Sequence, residues 1–386
     1  MKLGNFDITP SKDGNYVVKG EYKYIKLGKR ELKYLLELNE IVTDEIQLSD
    51  ASELTDELKK ILKEKFEEAG FINGQPLPLN ESISRKDISM IHLIDVDPEK
   101  FLNKIFPVAK IFFTKEFLIL YAIINILTGV VMFKELNMVQ QELIQFNFTA
   151  LEFGIVFIAL LFTTALHELG HAIVCRKYGG HVKKMGVCLF FLIPSLYCNV
   201  SDIVMFQKKR EKVYVALAGV YVNSVLSNLA LLIYFFVPNG TLLSSCLFLY
   251  YVANVGFIIV NLIPFVKLDG YWLLSAIMDI NNLLVKSSIL AVSIIFDFKL
   301  LKEMGITFRK KAFLIVYGWI VVLFRPFFWY ESITELADIF EKIPGYYGRF
   351  VLMALVCVVA LGDMIRFYFD FIKIYKNERL NIVNFI

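Results

Sequence analysis

The chain has 386 residues, of which 56% are hydrophobic and only 20% are charged, whereas soluble domains have roughly 25% charged residues. This composition excludes an ordinary soluble protein and predicts a polytopic membrane protein. The net charge of +3 conceals an acidic first part, because residues 1–100 hold 15 Lys and Arg against 20 Asp and Glu. The acidic head argues against nucleic acid as a partner, and the basic remainder is typical of segments that flank membrane spans.

Residues 1–77 have the pattern of a small cytosolic α+β domain. Alternating apolar residues in NYVVKGEYKYIKLG predict a hairpin that turns near Lys19 and Gly20. Two helices follow, in KRELKYLLELNE and in SELTDELKKILKEKFEEAGFI, the second of which ends at Gly70. This order of elements resembles the winged-helix peptide-recognition domains found beside enzymes that mature ribosomally made peptides. The alternative is a cytosolic cap without a binding role. Residues 78–116 are interpreted as a linker to the membrane.

Apolar runs of about 20 residues predict six membrane-spanning helices. Lys and Arg cluster in the loops on one side of these spans, which places both termini in the cytoplasm. The chain is therefore expected to be a multi-pass protein of the cell membrane, with membrane lipid as a partner. The predicted spans are residues 117–134, 151–174, 213–236, 242–264, 312–330 and 349–372.

Two further apolar segments do not fit a simple span. GVCLFFLIPSLYCNV, residues 186–200, has 15 residues and contains Pro194, which predicts a re-entrant hairpin. Residues 278–296 are interpreted as an interfacial helix rather than a seventh span, because charges flank them on both sides. The five cysteines form no CxxC pair, so neither a disulfide framework nor a thiolate zinc site is expected.

The stretch TALHELGHAIV, residues 164–174, places two histidines and a glutamate inside the second predicted span. Ionisable residues at membrane depth are costly to insert and by default indicate a functional site. His167 and His171 are four residues apart, so a helix presents both imidazoles on one face to a single metal ion. Glu168 lies beside them and can act on a water molecule bound to that ion. The alternative is a pair of core histidines, each of which would need its own buried partner.

A catalytic zinc ion needs three protein ligands and one open position. The segment after His171 offers only His181, whereas NLIPFVKLDGYW places Asp269 at the cytoplasmic end of the fourth predicted span. The second and fourth spans run in the same direction in the predicted topology, so Asp269 should lie toward the same membrane face as the two histidines. His92 and His181 are interpreted as ordinary surface residues.

Two motifs define a family resemblance. The first is HELGH in a membrane helix, and the second is Asn-x-x-Pro-x-x-x-Leu-Asp-Gly further along the chain. Their order and spacing resemble the site-2 protease family of intramembrane zinc metalloproteases over about residues 117–275. The second motif consists here of Asn261, Pro264, Leu268, Asp269 and Gly270.

The resemblance implies a fold and a chemistry for this region. It implies one zinc ion per chain, held by His167, His171 and Asp269 in a core of three membrane helices, with Glu168 as general base. Residues 186–200 correspond in position to the family's membrane-dipping hairpin, which lies near the extended substrate. Residues 276–386 would then be a cytoplasmic or interfacial segment followed by two C-terminal membrane helices.

Some features separate the chain from parts of this family. Val220 stands where many relatives have proline, Lys267 is an unusual charge close to Asp269, and no segment has the pattern of a PDZ domain. The small head, SLYCNVSD and PFVKLDGYW are instead similar to the peptide zinc metalloproteases of bacterial peptide-maturation clusters. This similarity implies a bacterial protein whose substrate is a peptide or a membrane protein, and it leaves the oligomeric state open.

The roles of two asparagines and the function of the whole protein each have an alternative interpretation. Asn223 and Asn261 are candidates for stabilising an oxyanion or contacting substrate, and each can instead tie one helix to another. The competing function is non-proteolytic: a membrane metal transporter, or a peptide export or immunity protein. Transport would need further ionisable residues along several spans, for which Asp363 and Arg325 are the only strong candidates in the sequence.

Overall fold

The computed structural model describes residues 2–3, 6–10, 15–19, 24–41, 56–69, 71–72, 90–134, 148–190, 193–280, 282–296, 307–341 and 346–378. The chain divides into two compact units, one formed by residues 1–87 with 202–208 and the other by residues 88–201 with 209–386. Each unit is built around its own buried residues.

The first unit contains an antiparallel sheet and two helices. Its strands are β1 (Lys2–Leu3), β2 (Phe6–Pro10), β3 (Tyr16–Lys19) and β4 (Tyr24–Leu27), in the order β1-β2-β3-β4. Its helices are α1 (Lys29–Leu38) and α2 (Asp56–Ala69). The predicted hairpin corresponds to β3 and β4, and both predicted helices are present. Strands β1 and β2 were not predicted, and the turn at Gly20 and the residue Gly70 lie outside the described residues.

The core of the first unit explains why these elements form. The leucine stripe of α1 turns Leu32, Leu35 and Leu36 inward, where they pack against sheet residues and Phe66 of α2. Residues 202–208 also belong to this unit, and Nζ of Lys19 in β3 lies 2.6 Å from Oδ2 of the buried Asp202. The α+β character predicted for the head is confirmed, whereas its winged-helix topology stays a prediction.

The second unit begins with a strand in the predicted linker. Strand β5 (Met90–Val96) pairs antiparallel with β6 (Met185–Phe190), which also pairs with β7 (Ile193–Cys198). The predicted hairpin is therefore present as β6 and β7, and it is part of a three-stranded sheet with β6 in the middle. The linker also contains helix α3 (Glu99–Ala109) and a 3₁₀ turn, Lys110–Phe113.

Helices make up the rest of the second unit. They include five that are long and apolar enough to cross a membrane, and the last of these five does so over Phe308–Glu331. A sixth candidate is formed by two helical segments, Asp269–Met278 and Leu283–Ile294, which are bent by 72° from each other. The helices are α4 (Lys115–Lys134), α5 (Ala150–Lys177), α6 (Lys209–Tyr234), α7 (Leu242–Asn261), α8 (Asp269–Met278), α9 (Leu283–Phe296), α10 (Phe308–Glu341) and α11 (Tyr346–Glu378).

The five candidate spans α4, α5, α6, α7 and α10 coincide with the first five predicted spans. The sixth predicted span falls within α11, which is not among the five. Helix α9 occupies the segment interpreted as interfacial, and it buries Leu283, Ile289 and Leu290 in a core shared with α10. The chain thus has the apolar helices of a membrane protein, and the cytoplasmic placement of both termini stays a prediction.

Polar contacts join several of these helices inside the apolar unit. Tyr121 of α4 donates a hydrogen bond of 2.7 Å to Ser224 of α6. Further along the chain, Trp329 of α10 donates to the buried carboxylate of Asp363 in α11, and Nε of Arg325 lies 3.2 Å from the same oxygen. Because unpaired polar groups are costly in an apolar environment, such pairs fix how neighbouring helices pack.

Candidate metal centre

Helix α5 carries the two histidines of the HELGH motif. Thr149 caps its first turn through a capping box with Glu152, so the helix starts at a defined residue. The spacing of four residues puts His167 and His171 on the same face, and both are buried. Their Nε2 atoms are 3.2 Å apart and therefore point to a common position.

Asp269 reaches this position as the first residue of α8. The preceding residue, Leu268, is extended and ends the irregular segment after α7. Gly270 allows the turn, because a Cβ at this residue would collide with the backbone of Leu262. Tyr317 of α10 donates a 2.6 Å hydrogen bond to the carbonyl of Pro264, which holds the same segment from the other side.

The three predicted ligands come together in the structure. Oδ2 of Asp269 lies 3.0 Å from Nε2 of His167, and Oδ1 lies 3.2 Å from Nε2 of His171. Ligand atoms about 2.0–2.1 Å from a tetrahedral ion stand roughly 3.3 Å apart, so these separations suit a small four-coordinate cation. The three residues form the one group of this kind found among the described residues.

The outer nitrogens of both imidazoles have partners on α6. Nδ1 of His171 lies 2.7 Å from the carbonyl oxygen of Val215, and Nδ1 of His167 lies 3.2 Å from Oδ1 of Asn223. A carbonyl oxygen can only accept, so Nδ1 of His171 carries the proton, and the same assignment suits His167. Each Nε2 then has its lone pair directed toward the shared position, as metal-binding histidines require.

This tautomer leaves the centre electron-rich. Two nitrogen lone pairs and a carboxylate face one another, and Oδ2 of Asp269 is buried and accepts no hydrogen bond. Such an arrangement is unfavourable without a positive charge between the groups, since a buried acceptor without a donor costs about 1–3 kcal/mol. The residues present therefore fit a bound metal cation.

Glu168 lies at the edge of the centre and next to the sheet. Its carboxylate lies close to the backbone of Cys198, the last residue of β7. It is also close enough to both histidines and to Asp269 to interact with them electrostatically. Glu168 thus lies between the three predicted ligands and the end of β7.

A second polar group ties together the helices that carry the ligands. The hydroxyls of Thr163 in α5 and Tyr250 in α7 are 2.6 Å apart. Asn254 of α7 is fully buried and donates a 3.1 Å hydrogen bond to the carbonyl of Asn223. These contacts fix α5, α6 and α7 against one another one turn away from the histidines.

The remaining candidate residues lie apart from this constellation. Asn261 is half-buried at the end of α7. His181 is largely exposed and lies 3.6 Å from Glu99, whereas His92 lies 3.4 Å from Asp95. Neither histidine joins the metal-binding group.

Two groups at the centre were not predicted from the sequence. Val215 contributes only its backbone carbonyl, which no residue type signals. Gly219, on the same helix, is placed so that a Cβ would collide with both Nε2 atoms. The small residues of AGVYVN around it were the available signal, because small residues allow close helix packing in membranes.

Comparison with known proteins gives similarities that fit the site-2 protease resemblance. The chain is 30% identical over 129 residues to YydH of Bacillus subtilis, whose name is "putative peptide zinc metalloprotease protein". It is 30% identical over 146 residues to a zinc metalloprotease of Methanocaldococcus jannaschii. These matches cover 33% and 36% of the chain, and the chain spans 49% and 39% of the relatives. No protein-family profile and no solved structure matches the chain.

Proposed function

We propose that the protein is an intramembrane zinc metalloprotease that cleaves a membrane-associated or ribosomally made peptide. The observation that carries this proposal is the convergence of His167, His171 and Asp269 on one position. The names of the two similar proteins support zinc as the ion and peptide hydrolysis as the reaction. The apolar helices that carry the three residues support a site within the membrane.

Each residue of the site has a separate role in the proposed hydrolysis. His167, His171 and Asp269 would hold the ion, and three protein ligands are the number typical of a catalytic zinc site. Zinc, when bound there, lowers the pKa of water to near 7 and polarises the scissile carbonyl. Glu168 accepts the proton of the attacking water and returns it to the leaving amine. The amides of Asn223 and Asn261 remain candidate donors to the oxyanion.

The substrate must be extended where it is cut, because the carbonyls of a helix are engaged in hydrogen bonds. Strand β6 cannot accept another strand, since β5 and β7 occupy both of its sides. Strand β7 is an outer strand, and its last residue, Cys198, contacts Glu168. A peptide that pairs with β7 would therefore pass the general base.

The N-terminal unit is proposed to bind part of the peptide before cleavage. Among the described residues, β4 is the last strand of its sheet, and an extended peptide could add to its outer side. Tethering such a site to the membrane unit would raise the local peptide concentration to about the millimolar range, so weak binding would suffice.

The transporter alternative is less well supported. Arg325 and Trp329 both contact one oxygen of the Asp363 carboxylate, which gives this buried charge a structural role between α10 and α11. The described residues contain no second metal-binding group that could continue a path across the membrane.

The test of the proposed function replaces the base and keeps the ligands. We expect Glu168→Gln to abolish cleavage of a peptide substrate by purified protein and to retain about one zinc ion per chain. Glu152→Gln is the matched control, because Glu152 is a buried glutamate on the same helix whose carboxylate contacts the Thr149 cap. Full turnover by Glu168→Gln would rule out Glu168 as the general base, and absence of cleavage by the wild-type protein would rule out the hydrolase.

A further inference from the structure

One face of α6 is matched to the two histidines of α5. Val215, Gly219 and Asn223 are spaced by four residues, as are His167 and His171, so both sets form rows along their helices. Val215 and Asn223 contact the outer nitrogens of the two imidazoles. Gly219 lies between them and faces the inner nitrogens.

The geometry at Gly219 is unusually tight. An added Cβ would meet Nε2 of His167 and Nε2 of His171 closer than side chains approach in proteins. The neighbours it would meet are buried imidazoles, and each is held at its other nitrogen by a hydrogen bond. The rings could therefore make room only by giving up those hydrogen bonds.

We propose that Gly219 is a positioning residue for the metal: by having no side chain, it keeps open the space in which the two Nε2 atoms and a cation meet. This inference rests on the proposed function for the identity of the ion as zinc. It adds that the α6 backbone forms one wall of the metal position. Val215 and Asn223 orient the two imidazoles. Gly219 leaves space for the Nε2 atoms in that orientation and for the cation between them.

A methyl group at residue 219 would lower the affinity for the metal. It would either occupy the space of the ion or turn the imidazoles away from the ligating direction. Partners that orient a metal-binding histidine typically change metal affinity 10–100-fold when removed. A group placed among the ligands themselves should cost about a hundredfold or more.

The experiment compares two glycine variants of the full-length protein in detergent. Zinc affinity is measured by competition with a chromophoric chelator, and the ligand field is recorded by absorption of the cobalt-substituted protein. We expect Gly219→Ala to lose about a hundredfold or more in zinc affinity and to lose the tetrahedral cobalt bands. Zinc affinity within threefold of wild type would overturn the inference.

Gly170→Ala is the matched control for helix packing. A Cβ at Gly170 would press on Val222 and on the backbone of Ala218, so it strains the same pair of helices without reaching the metal position. We expect this variant to bind zinc as wild type does. An equal loss of zinc in both variants would assign the effect to helix packing and overturn the inference.

A double-mutant cycle in metal-free protein tests whether a methyl group at residue 219 collides with the two histidines. In metal-free protein, Gly219→Ala should lower the melting temperature when both histidines are present. In the background His167→Ala/His171→Ala the methyl group has room, so the same substitution should have no effect or a smaller one. An equal decrease in both backgrounds would contradict the inference. Absence of zinc binding by the wild-type protein would instead refute the proposed function and leave this cycle interpretable.

Discussion

The assignment of Asp269 as third ligand depends on residues far apart in the chain. The sequence offers His181, only ten residues after His171, as a closer candidate. The structure places His181 at the surface near Glu99 and brings Asp269 to the histidines. Distance in sequence is thus a poor guide where the ligand is supplied by a different helix.

Replacing these two candidates separates the possibilities. We expect Asp269→Ala to weaken zinc binding strongly, because a tetrahedral site keeps only two protein ligands. His181→Ala should bind zinc with the affinity of wild type. Metal titration of both purified variants measures these affinities. The reverse order would assign His181 as the third ligand and place the site outside the membrane helices.

Single residues also show what the sequence could predict. His167, Glu168 and His171 form a local pattern with a chemical reason for its spacing, and Asp269 follows from a second motif. The roles of Val215 and Gly219 could not be predicted, because they depend on which side of α6 faces α5. Asn223 was considered for an oxyanion, yet its amide oxygen lies against His167.

The three-stranded sheet beside Glu168 is stabilised by hydrogen bonds to one carboxylate. Asp95 of β5 accepts hydrogen bonds from Tyr197 of β7 and from Lys184, which precedes β6. These two bonds lower the pKa of Asp95 from its usual value to about 2. Because the pKa is lowered in the folded state, the stabilisation is present above about pH 4 and is lost as the pH falls toward 2.

Hydrogen exchange of the β5 amides tests this contact. In metal-free protein, we expect Asp95→Asn to exchange faster than wild type at pH 6, and the difference should disappear as the pH falls from about 4 to 2. Comparing the two proteins at each pH removes the effects of other titrating groups. A difference that persists at pH 2 would show that the Asp95 charge does not hold β5 in the sheet.

The same sheet shows why some elements were missed. Long apolar helices are evident from composition alone, and five of the predicted spans coincide with α4, α5, α6, α7 and α10. Strand β5 is only seven residues long, and its partner β6 comes about 90 residues later. A short strand whose pairing is distant leaves little local pattern, so residues 78–116 were interpreted as a linker.

At the scale of the whole molecule, the two units predict separable functions. We expect deletion of residues 1–77 to raise the KM for the cognate peptide and to leave zinc content unchanged, because the metal-binding residues all belong to the second unit. A generic unstructured membrane substrate should be cut as before. An unchanged KM for the cognate peptide would make the N-terminal unit a structural cap.

His167, His171 and Asp269 are proposed to bind one zinc ion inside a membrane protease. X-ray absorption at the zinc edge, recorded on the purified full-length protein, tests it most directly. We expect one zinc ion per chain with two imidazole nitrogens and a carboxylate oxygen at about 2.0–2.2 Å, and loss of this signal in Asp269→Ala. A protein that cleaves peptides with no zinc bound, or with the same zinc spectrum in Asp269→Ala, would contradict it.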